Sequence, residues 1–161
     1  MEATNTPNGA HYRAPGWFTR NVFNRIVVIA TQLGVSVWGS RELRVVGRTS
    51  GEWRKTPVNL LALDGTHYLV APRGNAQWVR NLRVAGTGEL RVGRRVDAFR
   101  ATELEGDAKV TVIRAYLRRW KMEVGVFFDG VGPDSSDDEL RAIIDRHPVF
   151  RIDEMTKAAS G

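Results

Sequence analysis

The chain has 161 residues, with 24 Lys and Arg against 18 Asp and Glu, and no cysteine. A chain of this length makes one domain that buries on the order of 70% of the surface its unfolded form exposes, so it needs no disulfide. The missing cysteines exclude disulfide frameworks, thiolate nucleophiles and Cys-ligated metal centres. His11, His67 and His147 stand at no ligand-like spacing, so no metal site is expected. The net charge of +6 rests on 20 Arg and only 4 Lys, and the planar fork of arginine suits carboxylates and phosphates. Residues 1–100 hold 15 basic and 6 acidic side chains, whereas residues 101–161 hold 9 and 12. Such asymmetry points to an anionic partner: nucleic acid, a membrane surface or an acidic cofactor.

In chain order, Met1–Ala10 is polar and contains Gly, Pro and Asn. Residues 1–15 are therefore expected as a disordered tail and 16–161 as one domain. No secretory signal opens the chain, and the apolar run Ile26–Ala30 is too short for a bilayer, so a cytoplasmic protein is expected. Phe18, Val22, Ile26, Ile29 and Leu33 recur at helical spacing, which predicts an amphipathic helix from about Trp17 to Leu33, closed by Gly34. Its apolar face would cap the core; the alternative is peripheral membrane contact through Trp17, Phe18 and the arginines beside them.

The period then changes. Leu43–Gly47 is a short β-rich run, Gly47–Gly51 a turn, and Trp53–Leu63 a second strand in which Pro57 implies an edge or a bulge. Asp64-Gly65 is a hairpin signal, and Thr66–Ala71 follows as a strand. After Pro72–Asn75, the spacing of Trp78, Leu82 and Ala85 predicts a short helix. Glu89–Val92 and Arg95–Glu103 form another hairpin around Gly93. Val110, Ile113, Leu117 and Trp120 make one stripe of a helix from Asp107 to about Trp120. A further helix, capped by Ser136 or Asp137 with Glu139 in its first turn, ends near Arg146, and Val149–Ile152 is a last strand. The pattern is an α+β chain on an antiparallel sheet of five or six strands, for which a small closed or split barrel removes the edges.

No dinucleotide fingerprint, Walker loop or spaced Ser/His/Asp nucleophile pattern is present, a composition compatible with chemistry carried by a cofactor. Two segments combine groups that bind anions. Gly47 to Pro57 sets two glycines, the hydroxyls of Thr49 and Ser50, and Arg48, Arg54 and Lys55 around a tight turn. Ala71 to Leu82 joins a strand end to a glycine loop and a helix start that bears Trp78 and Arg80. The cations lie in turns and loops and not along a helix fit for a groove, so nucleic acid is not the expected partner.

Taken together, Gly-Arg-x-Ser-Gly-x-x-Arg-x-x-Pro (Gly47–Pro57), the Val-Ala strand end with Gly74, and Trp78-x-x-Asn81-Leu82 resemble the deazaflavin-dependent nitroreductase family, the actinobacterial branch of the split β-barrel flavin and deazaflavin oxidoreductases that uses coenzyme F420. The resemblance runs from about Leu33 to Glu103, with a weaker echo at Arg146–Ile152. It implies an α+β split β-barrel (FMN-binding-like) with flanking helices and coenzyme F420 in its groove. Implied contacts to the phosphate and acidic tail are Arg48, Thr49, Ser50, Arg54, Lys55, Thr56, Pro57, Val58 and Asn59. Implied contacts to the ring are Val70, Ala71, Pro72, Arg73, Gly74, Gln77, Trp78, Val79, Arg80 and Asn81.

The implied reaction is hydride transfer from the reduced deazaflavin to an electron-poor acceptor: a quinone, an enone, a conjugated C=C or a nitroaromatic. Where several members carry a hydroxyl after the strand's Ala, this chain has Pro72, and the aromatic lid of some members would here be Tyr116, Trp120, Phe127 or Phe128. No catalytic residue is assigned. The alternatives are an FMN-binding reductase of the same fold and a non-catalytic F420 or lipid carrier; a monomer and a homodimer are both compatible with the sequence.

Overall fold

The structure, a computed structural model, describes residues 40–157. The expected tail and the Trp17–Leu33 helix lie outside the described residues. Six strands form a closed antiparallel barrel: β1 (Ser40–Val46), β2 (Trp53–Leu63), β3 (Thr66–Val70), β4 (Thr87–Val92), β5 (Arg95–Glu103) and β6 (Val149–Lys157). Around the barrel the order is β1-β2-β3-β6-β5-β4, closed by β4 against β1. Helix α1 (Gln77–Ala85) links β3 to β4, and α2 (Ala108–Val124) and α3 (Asp137–Arg141) lie between β5 and β6.

Strand alternation divides the apolar residues between two cores. Leu43, Val45, Leu60, Leu69, Leu90, Phe99 and Phe150 fill the barrel, where Val79 and Leu82 of α1 join them. Their chain neighbours Leu61, Val70 and Val149 belong to the second core, packed with Val110, Ile113, Leu117 and Trp120 of α2 and with Leu140 and Ile144. Gly88 permits the closure of β4 on β1. A Cβ there would stand 2.8 Å from the Phe99 ring and 3.0 Å from the Arg44 carbonyl oxygen.

The turns follow their residues. Asp64 and Gly65 both take positive φ (51° and 82°), as a two-residue hairpin turn of this kind demands. Among the described residues Pro57 sits where β2 has one neighbour only: residues 53–59 pair with β1, and pairing with β3 begins at Leu60. The expected edge is therefore real, along half a strand.

Three boundaries differ from expectation by four residues or more, while β1 starts three residues and β4 two residues earlier than expected. Helix α2 continues past Trp120 to Val124, but Trp120 has non-helical backbone angles (φ −125°, ψ 21°), so a kink stands where the sequence suggested an end. The Ser136 hydroxyl caps α3 by accepting from the Glu139 N–H at 3.1 Å; the helix then stops at Arg141, and a 3-10 turn at Ile144–Arg146 replaces its expected last turns ahead of Pro148. Strand β6 runs to Lys157, five residues beyond Ile152, because its polar end pairs with β5 after a register shift between Phe99 and Ala101. No described helix is long and apolar enough to cross a membrane.

Candidate functional site

The Gly47–Gly51 turn is built by its glycines. Gly51 takes φ +73°, and a Cβ on Gly47 would stand 2.7 Å from the Ser50 hydroxyl oxygen. The Gly47 N–H donates to the Glu52 carbonyl at 2.7 Å, and the Gly51 N–H donates to the Gly47 carbonyl at 2.9 Å. Asn81, buried on α1, fastens this turn to the helix. Its Oδ1 accepts from the Arg48 backbone N–H at 3.1 Å and from Arg48 Nη1 at 2.8 Å, and Gln77 Oε1 accepts from Nη1 at 3.0 Å. Asn81→Ala leaves the Arg48 N–H without its acceptor and is expected to destabilise the protein by about 1–3 kcal/mol. Asn81→Asp retains the acceptor and should melt near the parent. Thermal unfolding of the two variants checks this, and equal losses would rule the clamp out.

The turn opens on a cavity of about 1000 Å³. One side is a cationic and hydroxylic arm: Arg48, Thr49, Ser50, Arg54, Lys55 and Thr56, followed down β2 by Pro57, Val58 and Asn59. Arg48, Arg54 and Lys55 are exposed, and among the described residues none is ion-paired with a carboxylate. By contrast Arg83, Arg95, Arg114, Arg141, Arg146 and Arg151 are each paired with an acid. Three exposed cations without a carboxylate partner thus stand together on one side of the cavity.

A second wall comes from the strand end and helix start: Val70, Ala71, Pro72, Arg73, Gln77, Trp78 and Asn81. The Trp78 indole is half-buried and packs at 5.9 Å and 53° against Phe150 in the barrel. Helix α1 has no side-chain cap and no acidic residue in its first turn, so its first amides and dipole keep their affinity for negative charge. Leu43 and Val45, buried in the barrel core, add apolar lining.

Three expected residues lie elsewhere. Val79 is fully buried in the barrel core, and Arg80, next to it on α1, is exposed to solvent. Gly74 is not part of the wall; with φ +80°, it packs against the Arg146 carbonyl, 3.0 Å from where a Cβ would be. The basic side chains that line the cavity are therefore Arg48, Arg54, Lys55 and Arg73, without Arg80.

The third wall was absent from the expected binding set. Tyr116, Trp120, Glu123 and Val124 of α2, then Val126 and Phe127 at the helix-end lip, line the cavity as well. Their spacing of four, three and one is a helical stripe, a signal present in the sequence but indistinguishable there from core packing. Of the four aromatic residues considered for a lid, Tyr116, Trp120 and Phe127 line the cavity, and Phe128 is buried behind them. Arg73 reaches across the mouth to lie 5.2 Å from the Phe127 ring centre. Burial pushes the Tyr116 phenol well above the usual tyrosine range, against a hydrogen bond from Asn59, and the Glu123 carboxylate pushes it further. Tyr116 consequently stays protonated at any physiological pH. No group of His, Cys, Asp and Glu able to hold a metal occurs among the described residues.

A model of the F420H(2)-dependent quinone reductase family matches residues 19–125. No curated protein matches the chain. Among solved structures, a chain described as a domain-swapped dimer is 20% identical, with a TM-score of 0.53 over 84% of this chain and 96% of that one. An F420-H2 dependent reductase is 19% identical, with a TM-score of 0.51 over 71% of this chain and 94% of that one. These likenesses establish the shared split-barrel fold. The family match spans well over half of the sequence, and with it the chain belongs to the F420H2-dependent quinone reductases: it is an oxidoreductase whose cofactor is coenzyme F420.

Proposed function

We propose that coenzyme F420 lies across the cavity with its acidic tail on the Arg48–Thr56 arm and its ring against Val70–Arg73 and Trp78. The acceptor is then a neutral, electron-poor small molecule of the quinone type, reduced beside the α2 wall. The observation that carries this reading is the division of one cavity into a lip of cations without carboxylate partners and an apolar, aromatic interior. A flat ring bearing a phosphodiester and carboxylates needs both, and the residues present fit it. When bound, the reduced cofactor supplies a hydride, and with it two electrons, to the acceptor.

The chain supplies binding, orientation and exclusion of water. Arg54 and Lys55 offer charge-assisted hydrogen bonds to the tail, and the Thr49, Ser50 and Thr56 hydroxyls offer neutral ones. Leu43, Val45, Val70 and Trp78 remove apolar ring surface from water. Tyr116 holds its proton beside the cavity and can donate a hydrogen bond to charge developing on an acceptor oxygen.

Titration of the protein with oxidised F420 and, separately, with FMN, followed by cofactor fluorescence, tests the placement. Saturable quenching of F420 and none of FMN is expected, together with turnover of quinones by reduced F420. Saturable FMN binding without F420 binding would favour the flavin alternative. Binding of F420 without turnover of any quinone, enone or nitroaromatic would favour a carrier.

A further inference from the structure

We propose that His147 is a positioning residue for the cavity: its Nδ1–H fixes the Ala71 carbonyl, while its ring packs on Phe128, behind the cavity-lining Val126 and Phe127. His147 is 3% exposed, between the 3-10 turn at Ile144–Arg146 and β6. Its Nδ1 lies 3.3 Å from the Ala71 oxygen. A carbonyl only accepts, so the proton of the neutral imidazole is on Nδ1 and Nε2 is bare. Nε2 is buried with no partner.

Ala71 is held from both sides by the same short segment. Its N–H donates to the Pro148 carbonyl at 2.9 Å, and its own carbonyl also accepts the Gly74 N–H at 3.1 Å, which closes the loop that begins the cavity wall. The other face of the imidazole meets Phe128, with ring centres 4.1 Å apart and planes at 24°. Phe128 in turn packs on Tyr116 at 6.3 Å and directly follows Val126 and Phe127, which line the cavity. His147 thus touches Ala71, at the strand end that lines the cavity, and Phe128, which is buried behind the residues of the opposite chain segment that line it.

A phenylalanine would pack as well and leave no buried nitrogen without a partner, a cost of burial that a polar ring incurs. The donor at Nδ1 is what distinguishes the two. Burial holds the imidazole below the ordinary histidine pKa and Lys109 acts in the same direction, while the Ala71 and Pro72 carbonyls and Asp129 pull the other way. The ring is therefore neutral, with the tautomer the Ala71 carbonyl requires.

Two substitutions in the full chain separate packing from positioning. His147→Phe keeps the ring and loses the donor; His147→Asn keeps a donor near Nδ1 and loses the ring. The readouts are backbone amide exchange in the protein without cofactor, and affinity for oxidised F420. His147→Phe is expected to speed exchange at Gly74 and Ala76 about tenfold and to weaken F420 about tenfold, with Leu43 and Leu90 amides in the barrel unchanged. His147→Asn should restore both to within about threefold of the parent.

Parent-like exchange at Gly74 in His147→Phe would overturn the inference, as would equal acceleration throughout the barrel in both variants. The affinity readout rests on the cofactor placement proposed above and the exchange readout does not. The expected exchange with unchanged F420 affinity would uphold the role of His147 and overturn that placement.

Discussion

The Arg54→Ala/Lys55→Ala double variant will bind oxidised coenzyme F420 about 30- to 100-fold more weakly than the parent, while Arg100→Ala binds within about twofold. Both Arg54 and Lys55 line the cavity and are exposed, which lowers each contribution below that of a buried pair. Charge-assisted hydrogen bonds to an anion are each worth about 1.5–3 kcal/mol when well formed; exposure lowers each of these two to about 1–1.4 kcal/mol, and together they give the stated factor. Arg100 is as exposed, but it lies on β5 beside Glu154 at 3.5 Å and outside the cavity wall. It controls for the loss of net charge alone. Raising salt should weaken the parent more steeply than the double variant, since fewer ionic contacts remain to be screened. Equal losses in the double variant and Arg100→Ala would show that the chain attracts the cofactor by its overall charge and not by this arm.

Trp120→Ala is expected to remove about 3–5 kcal/mol of stability, a drop of roughly 10–15 °C in Tm for a domain of this size. Trp120 is 1% exposed and stands at the kink of α2, 5.0 Å from Tyr116, with the Arg119 guanidinium 4.8 Å from its ring centre. The ring belongs both to the outer core and to the cavity wall, so its deletion merges a packing void with the cavity. Trp120→Phe fills most of the space and should recover more than half of the lost stability. Calorimetry of the three proteins, with and without F420, is the measurement. A loss below about 1 kcal/mol in Trp120→Ala would mean that the wall collapses onto the hole, and the helix-end lip would not be the fixed boundary described here.

Much of the barrel was legible in the sequence because each strand carries local punctuation. Trp53–Leu63 and Arg95–Glu103 have the boundaries their turns imply, and Asp64-Gly65 supplies the backbone angles its hairpin needs. The polar end of β6 was not legible, since residues 153–157 have no apolar alternation and pair only through a bulge. Two walls of the candidate site could be read because motif turns concentrate glycine, hydroxyl and arginine in few residues. The third wall could not. A helix that faces a cavity with Tyr116 and Trp120 and a helix that buries them in a core have the same sequence period, and here the two roles coincide in Trp120. His147 carries no local pattern either, for its partner Ala71 is 76 residues away and the contact exists only through the β3–β6 pairing.

The outer half of β2 has a consequence for how copies of this molecule meet one another. Residues 53–59 present one side of their backbone to β1, and no other described strand pairs with their other side. An open edge is a template on which a second chain can add, and long apolar edges do so readily. This one carries Arg54 and Lys55, whose like charges repel their counterparts on an approaching copy, and Pro57, which offers no N–H to a new ladder. The same three residues that line the cavity make this edge a poor seed for aggregation, so replacing the cations is expected to remove colloidal protection as well.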